Sequence, residues 1–399
     1  MRSAGLARSG AVLAVVGMLV AGCSSGTTPA PTAAAPAVSS APASAAASAA
    51  TTSSAPAASG AAASGTTASA APLGSPPAAI TNPSVSALNI GWGANDNPTA
   101  VLKQQGWLQQ EMGSVPVKWT QFDSGARMVS ALVSHSVDIS CEAGSPPIAA
   151  AAATGIPVRI IWINENAAEA LAVNPQKITS WADVPGQKFG TIVGSTMWYS
   201  LVAAIQGNNI PLNKVTILDG PQPDDAAAYK RGDLAGVYLS NPWLGQVEAA
   251  GAKILITSDQ VAQQYHLATF DACIALAPWL DAHQDVAKAF VAAMDYATRY
   301  FYADPQGTYQ ALSQALNITP AQAQQQAAFG HHPDAAEIAT STWLGTPSTA
   351  ASSGVTQAMK LTIQYGTQLG RLDKSKIPAN FDPATIGDPR FVDAVAGVQ

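Results

Sequence analysis

The chain has 399 residues and a formal net charge of −6, and only 11% of its residues are charged. An acidic balance without a Lys/Arg cluster argues against nucleic acid and against anionic membrane surfaces as partners. The hydrophobic fraction of 48% is inflated by the stretch from Ser24 to Val85, which is almost entirely Ala, Ser, Thr, Pro and Gly.

Arg2 and Arg8 precede an uncharged run from Ala11 to Ala21 that is too short to span a bilayer stably and reads as a secretory signal. It closes on Val20-Ala21-Gly22-Cys23, which resembles a bacterial lipobox, so residues 1–22 are expected to be a lipoprotein signal peptide and Cys23 the acylated residue. Residues 23–85 then form a tether, because a segment with no charge between Arg8 and Asp96 and so few large apolar side chains cannot offset the entropy of ordering it.

From Ala87 onward the periodicity alternates between strand and helix. Strand patterns lie at 87–92, 115–119, 137–141 and 158–163, with helix patterns at 99–112, 126–134 and 147–154 between them. A second series follows: strands at 170–173, 189–193, 215–218 and 236–239, helices at 198–206 and 225–231. An apolar strand returns at 270–276, and the rest, from Asp281, reads as helix. Such alternation predicts parallel sheets covered on both faces. The expected fold class is therefore α/β, two-lobed, with doubly wound sheets, a hinge and a central cleft. Residues 86–169 form the first part of lobe 1, 170–271 lobe 2, and 272–399 the second part of lobe 1 with the C-terminal helices. Cys141 and Cys273 each sit in an apolar strand-like stretch, which leaves a bridge and two small buried thiols both open.

In open parallel sheets ligands bind beyond the carboxyl ends of strands, beside the next helix. Gly144-Ser145 precedes the helix that opens with Pro146-Pro147, and Gly194-Ser195-Thr196 precedes the helix that holds Trp198 and Tyr199. Free amides, a hydroxyl and the positive end of a helix dipole suit an anion with several oxygens. Ordinary capping explains either turn alone. Glu169 and Asp271, each next to an apolar strand, are candidates to hold a cationic group, and Asp96 joins the ligand-binding set. Trp92, Trp198, Tyr199, Tyr238 and Trp243 are candidate walls for such a group or plain core. There is no dinucleotide fingerprint, phosphate loop or nucleophile elbow, and His331-His332 has no ligand cluster around it, so no catalytic residue, metal or cofactor is assigned.

Phe122-Asp123-Ser124-Gly125-Ala126, Val137-Asp138-Ile139 leading to Gly144-Ser145-Pro146-Pro147-Ile148-Ala149, Glu169-Ala170-Leu171-Ala172-Val173, Ser195-Thr196-Met197-Trp198-Tyr199, Tyr229 to Tyr238 and Thr269-Phe270-Asp271 resemble the substrate-binding proteins of taurine and alkanesulfonate ABC importers over about 88–301. The resemblance implies a class II periplasmic-binding-protein fold, with Ser145 and Ser195-Thr196 on sulfonate oxygens and Glu169 and Asp271 near an amine. It further implies permease and ATPase partners, a place on the outer face of the cell membrane, and no enzymatic activity. Trp198 and Ser240-Asn241-Pro242 depart from the taurine pattern, where a histidine and an aromatic residue are usual. The expected ligand is taurine or a similar small sulfonate. The alternatives are another small anion, such as an alkanesulfonate or a sulfate ester, a recruited enzyme acting on a small aromatic or thiamine-precursor-like molecule with Cys141 as its nearest candidate nucleophile, and an anchored scaffold with no enclosed pocket.

Overall fold

A computed structural model describes residues 73–166, 168–328 and 330–397. The expected signal peptide, Cys23 and most of the tether lie outside them. Within them the tether ends earlier than expected, because Ile80 and Val85 pack on the first core and Ser84 donates from its amide (2.8 Å) and hydroxyl (2.5 Å) to Asp285.

The first half runs β1 (Leu88–Trp92), α1 (Pro98–Gln105), α2 (Trp107–Met112), β2 (Val117–Gln121), α3 (Gly125–Val133), β3 (Ile139–Gly144), α4 (Ser145–Ala153) and β4 (Val158–Asn166). The chain then enters a second unit: β5 (Glu169–Val173), β6 (Lys188–Thr191), α5 (Thr196–Gly207), β7 (Thr216–Asp219), α6 (Gln222–Arg231), β8 (Gly236–Ser240), α7 (Trp243–Ala249), β9 (Lys253–Thr257) and α8 (Ser258–Tyr265). It returns through β10 (Phe270–Leu276) to α9 (Ala277–Ala282), α10 (Gln284–Ala303), α11 (Pro305–Leu316), α12 (Pro320–Ala327), α13 (Ala335–Ile338), α14 (Gly354–Gln368) and α15 (Arg390–Ala396). The single helix expected at 99–112 is two, because Gly106 takes a left-handed φ of 70° that ends α1 and starts α2. The elements α7, β9 and α8 were not anticipated; Lys253-Ile254-Leu255-Ile256-Thr257 is a short apolar run without clean alternation.

Two five-stranded sheets result, ordered β2-β1-β3-β10-β4 and β7-β6-β8-β5-β9. Neither is purely parallel, which corrects the expectation. β10 lies antiparallel between β3 and β4, and β5 lies antiparallel between β8 and β9. These are the strands that follow each passage between sheets, and a chain arriving from the other sheet enters from the opposite end. The rest, β1-β2-β3 and β6-β7-β8, pair in parallel, so the strand ends that precede helices gather on one side of each sheet.

The first sheet is buried between helices in one large core that includes Trp162, Phe290 and Met294. The second has a core on each face, one around Phe189 and Tyr238, the other around Leu239 and Leu244. Burial of a side chain of this size contributes about 1.5–3 kcal/mol. Helix α14 packs along α4 and also gives Leu361 and Tyr365, with Leu369 just past its end, to the second core, so it touches both lobes. Cys141 and Cys273, both fully buried, are joined by a disulfide between neighbouring strands β3 and β10. That settles the open cysteine question and removes Cys141 as a free thiol.

Candidate functional site

A cavity of about 600 Å³ lies between the two sheets. From the first it is lined by the turns after β1 (Gly93 to Asp96), β2 (Phe122 to Ala126) and β3 (Gly144), by Glu142 and Glu165, and by Asp271 at the start of β10. From the second come Glu169, the turn from Ile192 to Met197, and the residues after β7 and β8, including Gln222, Asn241 and Trp243. Apart from the two antiparallel entries, these are carboxyl ends of strands, where helix starts deliver unpaired amides.

The lobes meet closely at Gly144. A β-carbon there would lie 3.0 Å from Thr196 Cγ2 and 3.2 Å from Asp271 Oδ1, while one on Gly125 would lie 3.0 Å from the Gly144 amide nitrogen. The starts of α3, α4 and α5 thus converge on one glycine. They are not equal as anion binders. In α4 the second and third positions are Pro146 and Pro147, so two of the first three amides do not exist. Ser145 is fully buried, its hydroxyl has no partner, and it does not line the cavity. In α5 the Ser195 hydroxyl donates to the Ile192 carbonyl (2.7 Å) and accepts from the Trp198 amide (3.4 Å), which leaves the Thr196 and Met197 amides without partners among the described residues. Ser195 therefore shapes the turn, and the amides that follow it remain for a ligand.

Of the other expected site residues, Asp96, Gly144, Glu169, Thr196 and Asp271 line the cavity. Trp198 and Tyr199 do not. They are buried in the core of the second lobe, edge to face at 5.2 Å, with the Arg371 guanidinium 4.8 Å from the Trp198 ring centre. An apolar position on the inner side of α5 outweighs the proximity to the turn that suggested them. Trp92 and Tyr238 are also core; Trp243 alone of the five aromatics faces the cavity, joined by Phe122. His332, in the loop before α13, is buried, edge to face on Phe301, with Nδ1 3.0 Å from the Asn164 carbonyl. Burial pushes it down to about 4, so its 3.6 Å approach to Glu165 joins a neutral imidazole to an acid.

Six carboxyl groups line the cavity: the exposed Asp123, paired with Arg127 at 2.9 Å, and five that are buried or half-buried, Asp96, Glu142, Glu165, Glu169 and Asp271; no Lys or Arg lines it. Burial raises these last five: Asp96 to about 6, Asp271 to about 7, Glu169 to about 8, and Glu142 and Glu165 well above the usual carboxylate range. For Glu165 the charges of Asp271, Asp96, Glu142 and Glu169 add to burial. Glu169 is already engaged, because Thr196 Oγ1 donates to its Oε1 and Ser258 Oγ to its Oε2 at 3.4 Å. Glu142 is not: it is 5% exposed, at a left-handed φ of 69°, and neither oxygen has a hydrogen-bond partner. Asn97, Thr99 and the Gly93 backbone lie near enough to ease its charge without completing a bond. Glu142 and Glu165 were missed in the sequence, although an acid inside the apolar runs of β3 and β4 is a legible signal.

Comparison with known proteins agrees with this architecture. Residues 97–308, more than half of the chain, match the family described as NMT1/THI5 like. The taurine-binding periplasmic protein of Escherichia coli (strain K12) is 31% identical over 220 residues, 55% of this chain and 67% of that protein. The chain spans 53–67% of the length of the curated relatives it matches. The crystal structure of the periplasmic aliphatic sulphonate binding protein SsuA from Escherichia coli superposes with a TM-score of 0.62 at 15% identity, covering 76% of this chain and 92% of that one. The alkanesulfonate-binding protein SsuA from Xanthomonas axonopodis pv. citri, bound to MOPS, gives 0.60 at 18%, covering 76% and 98%. At these identities the structures speak for the two-lobed periplasmic-binding-protein fold.

Proposed function

Because this chain belongs to the NMT1/THI5 like family, we propose that it is the extracytoplasmic binding protein of an ABC importer and captures a small sulfonate bearing an amine, taurine being the simplest. The observation that carries this reading is the pairing, inside one cavity, of unpartnered α5 amides with five acids, Asp96, Glu142, Glu165, Glu169 and Asp271, that make no ion pair with Lys or Arg among the described residues. A sulfonate seated on the Thr196 and Met197 amides gains charge-assisted hydrogen bonds and the dipole of α5. An ammonium on the same molecule meets the carboxylates, so neither charge is buried alone. A plain alkanesulfonate or sulfate ester brings only negative charge to five acids and fits less well. The names of the relatives support the sulfonate end, and the acids support the amine.

No chemical step is assigned to the cavity, since the cysteine nearest to it is held in a disulfide. On this reading the lobes close on the ligand and a permease with its ATPase receives it, while Cys23 carries the lipid anchor. Calorimetric titration of the purified full-length protein tests the ligand: heat with taurine and weaker heat with ethanesulfonate are expected, and no binding of any small sulfonate contradicts the reading. Release of the Cys23→Ser protein from the membrane fraction tests the anchor.

A further inference from the structure

A buried carboxylate with two unsatisfied oxygens is costly, and native proteins tolerate one chiefly where function requires it. Glu142 is such a group. It sits at the end of β3 in a left-handed conformation that only a minority of non-glycine residues adopt, and it faces the cavity. Glu165 on β4 and Asp271 on β10 stand on neighbouring strands, Asp96 approaches from the turn before α1, and Glu169 from β5. His332, beside Glu165, is neutral and supplies no counter-charge. Among the described residues no three of these acids, or of any His, Cys, Asp and Glu, lie close enough to hold a metal ion. Phe122 and Trp243 line the same cavity and offer ring faces to an organic cation.

We infer that Glu142, flanked by Glu165 and Asp271, forms the cation subsite of this cavity and receives the ammonium group of the ligand, whereas Glu169, already held by Thr196 and Ser258, positions the α5 turn. The assignment rests on the amine-bearing sulfonate reading for the identity of the ligand, but the subsite is defined by its acids alone. Of the two acids that the sequence favours for the amine, the assignment keeps Asp271 beside the subsite and replaces Glu169 with Glu142. It also makes the unliganded site a stored penalty, because burial forces Glu142 to keep a proton that it would shed in water: removing the carboxyl at 142 relieves the unliganded protein and harms only ligands that carry a cation.

The test uses the full-length protein and its Glu142→Gln and Glu142→Asp variants, with taurine, ethanesulfonate and choline as probes, read by calorimetry and by thermal unfolding. The expected result is at least a tenfold loss of taurine affinity in Glu142→Gln, partial rescue in Glu142→Asp, undiminished ethanesulfonate binding, and an unliganded Tm equal to or above that of the wild type. Equal taurine affinity in wild type and Glu142→Gln overturns the subsite and leaves the sulfonate reading standing. A lower unliganded Tm with all probes weakened alike overturns it too, by making Glu142 a scaffold residue. If choline stabilises the wild type but not Glu142→Gln while no sulfonate binds, the subsite holds and the sulfonate reading falls. If none of the three binds, both fall.

Discussion

The starts of α4 and α5 look alike in sequence, each a glycine and a serine at the end of a parallel strand, yet they differ in what they offer a ligand. At α5 the serine caps its own turn and two amides stay free. At α4 two prolines remove two amides and the serine hydroxyl is sealed in the core. An anion site is thus set by which donors remain after the local turn has satisfied itself, and the Gly-Ser pattern does not report that. On the proposed reading the consequence is a division of labour, with α5 of the second lobe offered to the oxyanion and Glu142 and its neighbours in the first lobe offered to the amine.

Deleting an α5 donor should break this comparison most sharply. Proline is tolerated at the second position of a helix, as in α6 with Pro223, so Met197→Pro removes one amide. Its expected cost is about 1.5–3 kcal/mol of affinity, roughly ten- to a hundredfold, for taurine and ethanesulfonate alike, with circular dichroism confirming that the helix persists. Gly144→Ala, whose β-carbon would press on Thr196 and Asp271 at 3.0 and 3.2 Å, should hold the lobes apart and cost about 1–3 kcal/mol in the same titration.

The acids sharpen the other half of the comparison through pH. Asp96, Glu142, Glu165, Glu169 and Asp271 each hold a proton more tightly folded than unfolded, so the stability each contributes is fully present below the unfolded values of 3.8 and 4.5. It is lost as pH rises through about 6 for Asp96, about 7 for Asp271 and about 8 for Glu169. His332, pushed from 6.5 down to about 4, works in the opposite sense over that narrower window, one group against five. The empty protein should therefore melt a few degrees lower at about pH 8.5 than at about pH 5.5. An ammonium favours the charged acids, so taurine affinity should rise over the same interval with release of protons, measurable by titration in buffers of different ionisation enthalpy. The smallest effect belongs to Ser145→Ala, which removes an unpartnered buried hydroxyl: affinity unchanged within about twofold, and stability unchanged or slightly higher.

The fold class was legible because strand and helix periods alternate cleanly from Ala87 to Leu239 and the family resemblance runs along the same stretch. The antiparallel strands were not, because nothing in Phe270 to Leu276 records the end from which the chain re-enters the sheet. The cavity lining was legible where backbone position decides it, as at Gly144 and Thr196. It was not legible where side-chain direction decides, as with Trp198 and Tyr199 turned into the core, nor at Glu142 and Glu165, which lie just past the strand ends expected at 141 and 163 while β3 and β4 run on to Gly144 and Asn166.

A crystal structure of the protein with taurine bound would test the division between the lobes most directly. The sulfonate oxygens should sit on the Thr196 and Met197 amides at the start of α5, with the nitrogen within hydrogen-bond distance of Glu142. A ligand turned end for end, or a sulfonate seated on α4 with Glu142 still without a partner, would contradict it.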